Sequence, residues 1–140
     1  MLFSFVVNVA TTNTATNKKV ETLRVAHGIL TWASVMFPPG CAGLVHCVIR
    51  HREHQIFPST ELLDLRGDAF PIEWNDYYEL YHEPYLLKAE CWGVGCREPH
   101  NVFIKVAILP RRALAPPSIT EAIRGAFGMM LPKRIPVTEE

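Results

Sequence analysis

FPPGCAGLVHCVIRHREHQIFP, residues 37 to 58, is the stretch that decides the fold class. It opens on a turn at Pro38, Pro39 and Gly40 and continues as an apolar strand from Gly43 to His51. A shorter strand from Gln55 to Phe57 then stops at Pro58. Proline has no amide proton and glycine tolerates positive φ, so both punctuate a sheet without long-range information. Within the first strand Val45, Cys47 and Ile49 fall on one side, and Leu44, His46, Val48 and Arg50 on the other. That two-residue period predicts β structure.

Working outward, the same period recurs. Phe3, Phe5, Val7 and Val9 alternate with Ser4 and Asn8 near the start. The Thr/Asn/Ala/Lys tract from Thr11 to Lys19 favours turns and reads as an exposed loop or arm. Further strands are predicted at Val20–Ala26 and Ile29–Phe37, the latter apolar on both faces. Residues Ser59 to Asp68 read as a loop with one helical turn at Thr60 to Leu63. Phe70, Ile72 and Trp74 alternate around Pro71, which predicts an edge strand. A turn is expected at Asn75-Asp76, and Tyr77 to Tyr81 follows as a separate aromatic strand. Tyr85 to Trp92 and His100 to Leu109 complete about eight strands, ended by Pro110. Short strands separated by turn signals, with no helix between them, predict an antiparallel β-sandwich or jelly roll.

The first 110 residues therefore read as one domain, its N-terminal strand and arm covering residues 1–19, and residues 111–140 as an appendage. Arg111 to Pro117 is a Pro/Ala/Arg connector. Ser118 and Glu121 have the spacing of a capping box, and Ile119, Ile123, Ala126, Phe127 and Met130 share one helical face. Such a short helix is not stable alone and is expected to dock on its own domain or on a neighbour. LPKRIPVTEE is expected to be an extended tail.

Composition narrows function by exclusion. At 140 residues and 49% hydrophobic content the chain can close a core without staples. Fourteen basic and fourteen acidic side chains cancel, and phosphate neutralisation normally needs a basic surplus, so nucleic acid is not an expected partner. No apolar run approaches the roughly 20 residues that span a bilayer, which predicts a soluble chain with no membrane partner. MLFSFVVNVA carries no basic residue ahead of its apolar run, unlike a secretion signal. The four cysteines, Cys41, Cys47, Cys91 and Cys96, are expected to be free or partly buried thiols.

No residue pattern commits the chain to a reaction, so no catalytic residue and no cofactor are expected. Four constellations have both a functional and a structural reading. His46, His51 and His54, with His82 and His100, offer imidazoles for a metal, but their spacing does not place the first three on one face. Cys47 lies beside His46, yet adjacent strand residues point to opposite faces, which counts against a nucleophile–base pair. Trp74, Tyr77, Tyr78 and Tyr81, among Asp64, Asp68, Glu73, Asp76 and Glu79, form an aromatic and acidic region suited to stacking on a sugar. This makes a carbohydrate-binding module the alternative function, with a metal-dependent enzyme behind it. Arg66-Gly67-Asp68 matches an adhesion tripeptide and is also an ordinary Gly-Asp turn.

The succession VETLRVAHGILT, FPPGCAGLVH, HQIFPS, EPYLLKAECWG and HNVFIKVAILP, behind an apolar first strand and a Thr/Asn tract, resembles small β-sandwich structural proteins of phages and viruses. The resemblance is to the decoration or minor capsid type and covers about residues 1 to 110. It implies a non-enzymatic protein made in the host cytoplasm and located in the virion. Its partners would be itself, as a homo-oligomer such as a trimer on a capsid three-fold axis, and the major capsid or other virion proteins. Terminal segments commonly interlock such subunits. Phe3, Phe5, Val7, Ile119, Ile123 and Phe127 are the expected contact residues.

Overall fold

A computed structural model describes residues 1–110. The strands are β1 (Leu2–Val9), β2 (Lys19–Arg24), β3 (Gly28–Met36), β4 (Val45–His51), β5 (His54–Phe57), β6 (Leu65–Arg66), β7 (Pro71–Leu80), β8 (Leu86–Gly93) and β9 (His100–Leu109). They form two antiparallel sheets. The first has the order β1-β9-β3-β7, and the second runs β2-β8-β4-β5 with β6 added on β4. The described residues are thus mainly β, and no helix among them is long and apolar enough to cross a membrane. The connector, capping-box helix and tail expected after Pro110, with Ile119, Ile123 and Phe127, lie outside the described residues.

Alternation produces the core. Val7 and Val9 from β1, Leu30, Ala33 and Val35 from β3, and Val102, Ile104, Val106 and Ile108 from β9 point toward the second sheet. They meet Leu23 from β2, Val45, Cys47 and Ile49 from β4, and Leu87, Ala89 and Cys91 from β8 in one buried cluster. Full burial of each Val, Leu or Ile among them stabilises the fold by about 1.5–3 kcal/mol.

The decisive stretch behaves as its punctuation predicts. Gly40 and Gly43 take positive φ in the turn before β4, and β4 and β5 form a hairpin around Arg52 and Glu53. Asp68 clamps the opening turn, its Oδ1 accepting the Gly40 N–H at 2.9 Å.

Two local expectations are corrected. Asn75-Asp76 is not a turn: β7 runs unbroken from Pro71 to Leu80, and its register with β3 shifts between Leu30 and Trp32. The turn-forming residues sit in an irregularity of the ladder, where Asp76 Oδ1 accepts the Tyr77 N–H at 2.7 Å. The Thr11–Lys19 tract is a mostly exposed loop, as expected, closed by hydrogen bonds around Asn13, whose carbonyl accepts the Gly93 N–H at 3.0 Å. Leu65–Arg66, expected within a loop, pairs with His46 and Cys47 as β6. Between Thr60 and Leu63 there is one hydrogen-bonded turn, and β7 takes the edge position that Pro71 predicts.

Candidate interaction surface

The outer faces of the two sheets differ in chemistry. On the second sheet, His46 lies flat against Trp92 with centroids 5.2 Å apart, and its Nδ1 is 2.9 Å from Asp64 Oδ1. Arg66 Nε approaches the same carboxylate oxygen at 3.4 Å. Lys18 Nζ sits 4.4 Å from the Trp92 centroid, while Glu90 accepts from Arg50 Nε at 3.1 Å. Charges satisfy one another there, as on a solvated face.

The first sheet presents apolar rows to the outside. Opposite positions place Val6, Phe103, Met36 and Pro71 side by side across its strands, and Leu2, Ala107 and Trp32 in a parallel row. Between them runs a polar row of Ser4, Lys105, Ser34 and Glu73. Trp32, Met36, Phe103 and the polar residues between them line a shallow depression of about 360 Å³. Leu2 and Val6 are exposed.

This face ends at β1, which among the described residues pairs with β9 alone. The Met1 amine and the Ile108 carbonyl are 2.7 Å apart, and the Ile108 N–H returns a bond to the Met1 carbonyl. That reciprocal pair fixes the parity of the strand. The N–H groups of Phe3, Phe5 and Val7 face β9, so those of Leu2, Ser4, Val6 and Asn8 face outward along the edge. Natural edge strands are normally protected by charge, proline or a bulge. The β1 sequence LFSFVVNV contains no charge and no proline, and its register with β9 is unbroken. Among the other outer edges, β7 carries Pro71, Glu73, Asp76 and Glu79, β2 carries Lys19, Glu21 and Arg24, and β5 is only four residues long and stops at Pro58.

Of the expected contact residues in this region, Phe3, Phe5 and Val7 point the other way. Val7 is fully buried, and Phe3 and Phe5 pack against the chain's own core, so β1 offers a neighbour its edge groups with Leu2 and Val6. The four aromatic residues of the alternative ligand platform are not brought together. Trp74 packs edge-on against Phe57 at 4.9 Å, Tyr78 reaches inward to His51, Tyr77 is exposed on the outer face, and Tyr81 stacks on His27. His51 and His54 face each other across the β4–β5 hairpin, but among the described residues no three His, Cys, Asp or Glu side chains converge as metal ligands. Arg66 and Asp68 are engaged with Asp64 and Gly40.

One inter-sheet contact escaped the sequence reading. His51 Nδ1, at the end of β4, is 2.6 Å from the Tyr78 hydroxyl on β7. Burial lowers the His51 pKa, with smaller contributions from Arg52 and His54, and burial raises that of Tyr78. Its only sequence signal was inward parity at Tyr78. Comparison of the chain with protein-family models, curated proteins and solved structures finds no match.

Proposed function

We propose that the protein is a non-enzymatic jelly-roll subunit of a phage or virus particle, of the decoration or minor capsid type, that assembles through β1 and the outer face beside it. Two features support the architecture. Apart from β4 to β6, which stay in the second sheet, successive strands pass back and forth between the sheets, and the orders β1-β9-β3-β7 and β2-β8-β4-β5 match those of a double Greek-key jelly roll. Jelly rolls recur in viral capsid and lectin domains, and the sequence resemblance favours the first.

Fold alone does not choose a function. The observation that carries the assembly reading is the unprotected β1 edge, continuous with the apolar rows through Leu2 and Val6. The partner is a second copy of the chain. An uncharged edge pairs with its own antiparallel copy across a two-fold axis, which joins the apolar faces of both subunits. A two-fold contact of this kind replaces the three-fold one that the resemblance implies. The segment 111–140, with Ile119, Ile123 and Phe127, extends the contact between subunits or to the shell.

The test is the mass of the full chain by light scattering across a concentration series, beside Leu2→Lys/Val6→Lys and a chain ending at Pro110. A concentration-dependent oligomer that the double variant abolishes and truncation weakens is expected. A monomer at every concentration, or unchanged assembly in the double variant, overturns the proposal.

A further inference from the structure

We infer that Cys47 and Cys91 form an oxidative modification site, a cross-strand dithiol that a small peroxide converts to a disulfide linking β4 to β8. The inference is independent of the proposed assembly. The two residues are direct partners in the β4–β8 register, and both side chains are fully buried in the common core.

The type of pair matters. The Val94 N–H bonds the Leu44 carbonyl, so the hydrogen-bonded pairs of this ladder are Leu44–Val94, His46–Trp92 and Val48–Glu90. The Gly93 N–H, on the opposite parity, turns away from β4 to Asn13. Cys47–Cys91 is therefore a non-hydrogen-bonded pair. Such pairs have Cα atoms about 4.5 Å apart and the closer side chains, just inside the range of about 4.4–6.8 Å that a disulfide spans. The Cys47 thiol lies 3.9 Å from the Val48 carbonyl oxygen, and its interaction with Cys91, and then burial, hold it well above its ordinary pKa.

The chemistry balances with peroxide as the oxidant. One thiolate attacks a peroxide oxygen, breaks the O–O bond and becomes a sulfenic acid as hydroxide leaves. The facing sulfur attacks that sulfenic sulfur, forms the S–S bond and releases water. Two thiols lose two hydrogens, and the peroxide is reduced to two waters. A raised thiol pKa keeps the thiolate scarce at neutral pH, so the rate climbs about tenfold per pH unit below that pKa. A disulfide formed here is shut away from external thiols by the core around it.

The experiment uses the full chain, native, with hydrogen peroxide over a pH series, followed by denaturation, alkylation with N-ethylmaleimide and peptide mapping by mass spectrometry. A second arm refolds the reduced chain with glutathione disulfide. The expected product in both arms is the Cys47 peptide joined to the Cys91 peptide, formed faster at higher pH in the native arm and retained in Cys96→Ser. Partly exposed Cys96 reports that the oxidant acted. Recovery of Cys47 and Cys91 as alkylated thiols in both arms while Cys96 is oxidised overturns the inference, as does their preferential linkage to Cys41 or Cys96.

Discussion

Proline at position 4 tests the assembly edge with a single atom group. The Ser4 N–H points away from β9, because the reciprocal Met1–Ile108 pair places the odd residues of β1 in the ladder. Ser4→Pro therefore removes no bond within the subunit, and an edge strand accommodates the ring. In an antiparallel β1–β1 contact the same proline deletes one donor per copy, hence two hydrogen bonds per pair. At about 1 kcal/mol each, with some further cost for the unpaired acceptors, association weakens by about 2–3 kcal/mol, or roughly 30- to 150-fold in Kd. Phe5→Pro is the matched contrast: its N–H faces β9 and its ring packs on the core, so it costs about 3 kcal/mol or more of folding stability. Sedimentation equilibrium gives the dissociation constant and thermal melting the stability. A Ser4→Pro chain that dimerises with wild-type affinity refutes the edge argument, and equal destabilisation by the two prolines refutes the parity on which it rests.

Other expectations come from separate parts of the structure. A Cβ at Gly28, where φ is +152°, would lie 2.4 Å from the Leu109 carbonyl oxygen. Gly28→Ala should therefore cost several kcal/mol, whereas Gly95→Ala, at φ +69° with open space around it, should cost about 1–2 kcal/mol; denaturant midpoints of the two variants check the contrast. His51 has a folded-state pKa below its ordinary 6.5, so the unfolded chain takes up the proton first. Its contribution is present above about pH 6.5 and is lost as pH falls through that value toward the folded pKa. Wild type should thus lose more stability than His51→Gln between pH 7 and 5, and parallel curves count against this. A Cys47–Cys91 disulfide closes a loop of about 45 residues, worth about 4 kcal/mol before strain and a rise of about 15 °C in Tm. Scanning calorimetry of oxidised and reduced protein measures it.

Much of the sheet content was legible because burial follows parity. Phe3, Phe5, Val7 and Val9 share a face in the sequence and turn inward in the fold, and Cys47 and His46 separate to opposite faces as adjacent strand residues must. Local signals failed where a partner strand overruled them. Asn75 and Asp76 carry strong turn chemistry, yet pairing with β3 holds them in a continuous strand and leaves the irregularity as a register shift. Leu65 and Arg66 form too short a run to show any period, and only the free edge of β4 makes them a strand.

The same distinction explains why the candidate surface was half visible. An uncharged, proline-free first strand is a sequence property, but which of its faces is free depends on where the second sheet lies. Phe3, Phe5 and Val7 are the larger apolar set, so the core takes them. Leu2 and Val6 remain outside, where they become meaningful only beside Phe103, Met36 and Trp32, residues brought alongside by the order β1-β9-β3-β7. The proposed assembly surface therefore depends on strand order, which no local pattern encodes. The most hydrophobic residues of an edge strand are poor interface candidates whenever a second sheet is available to bury them.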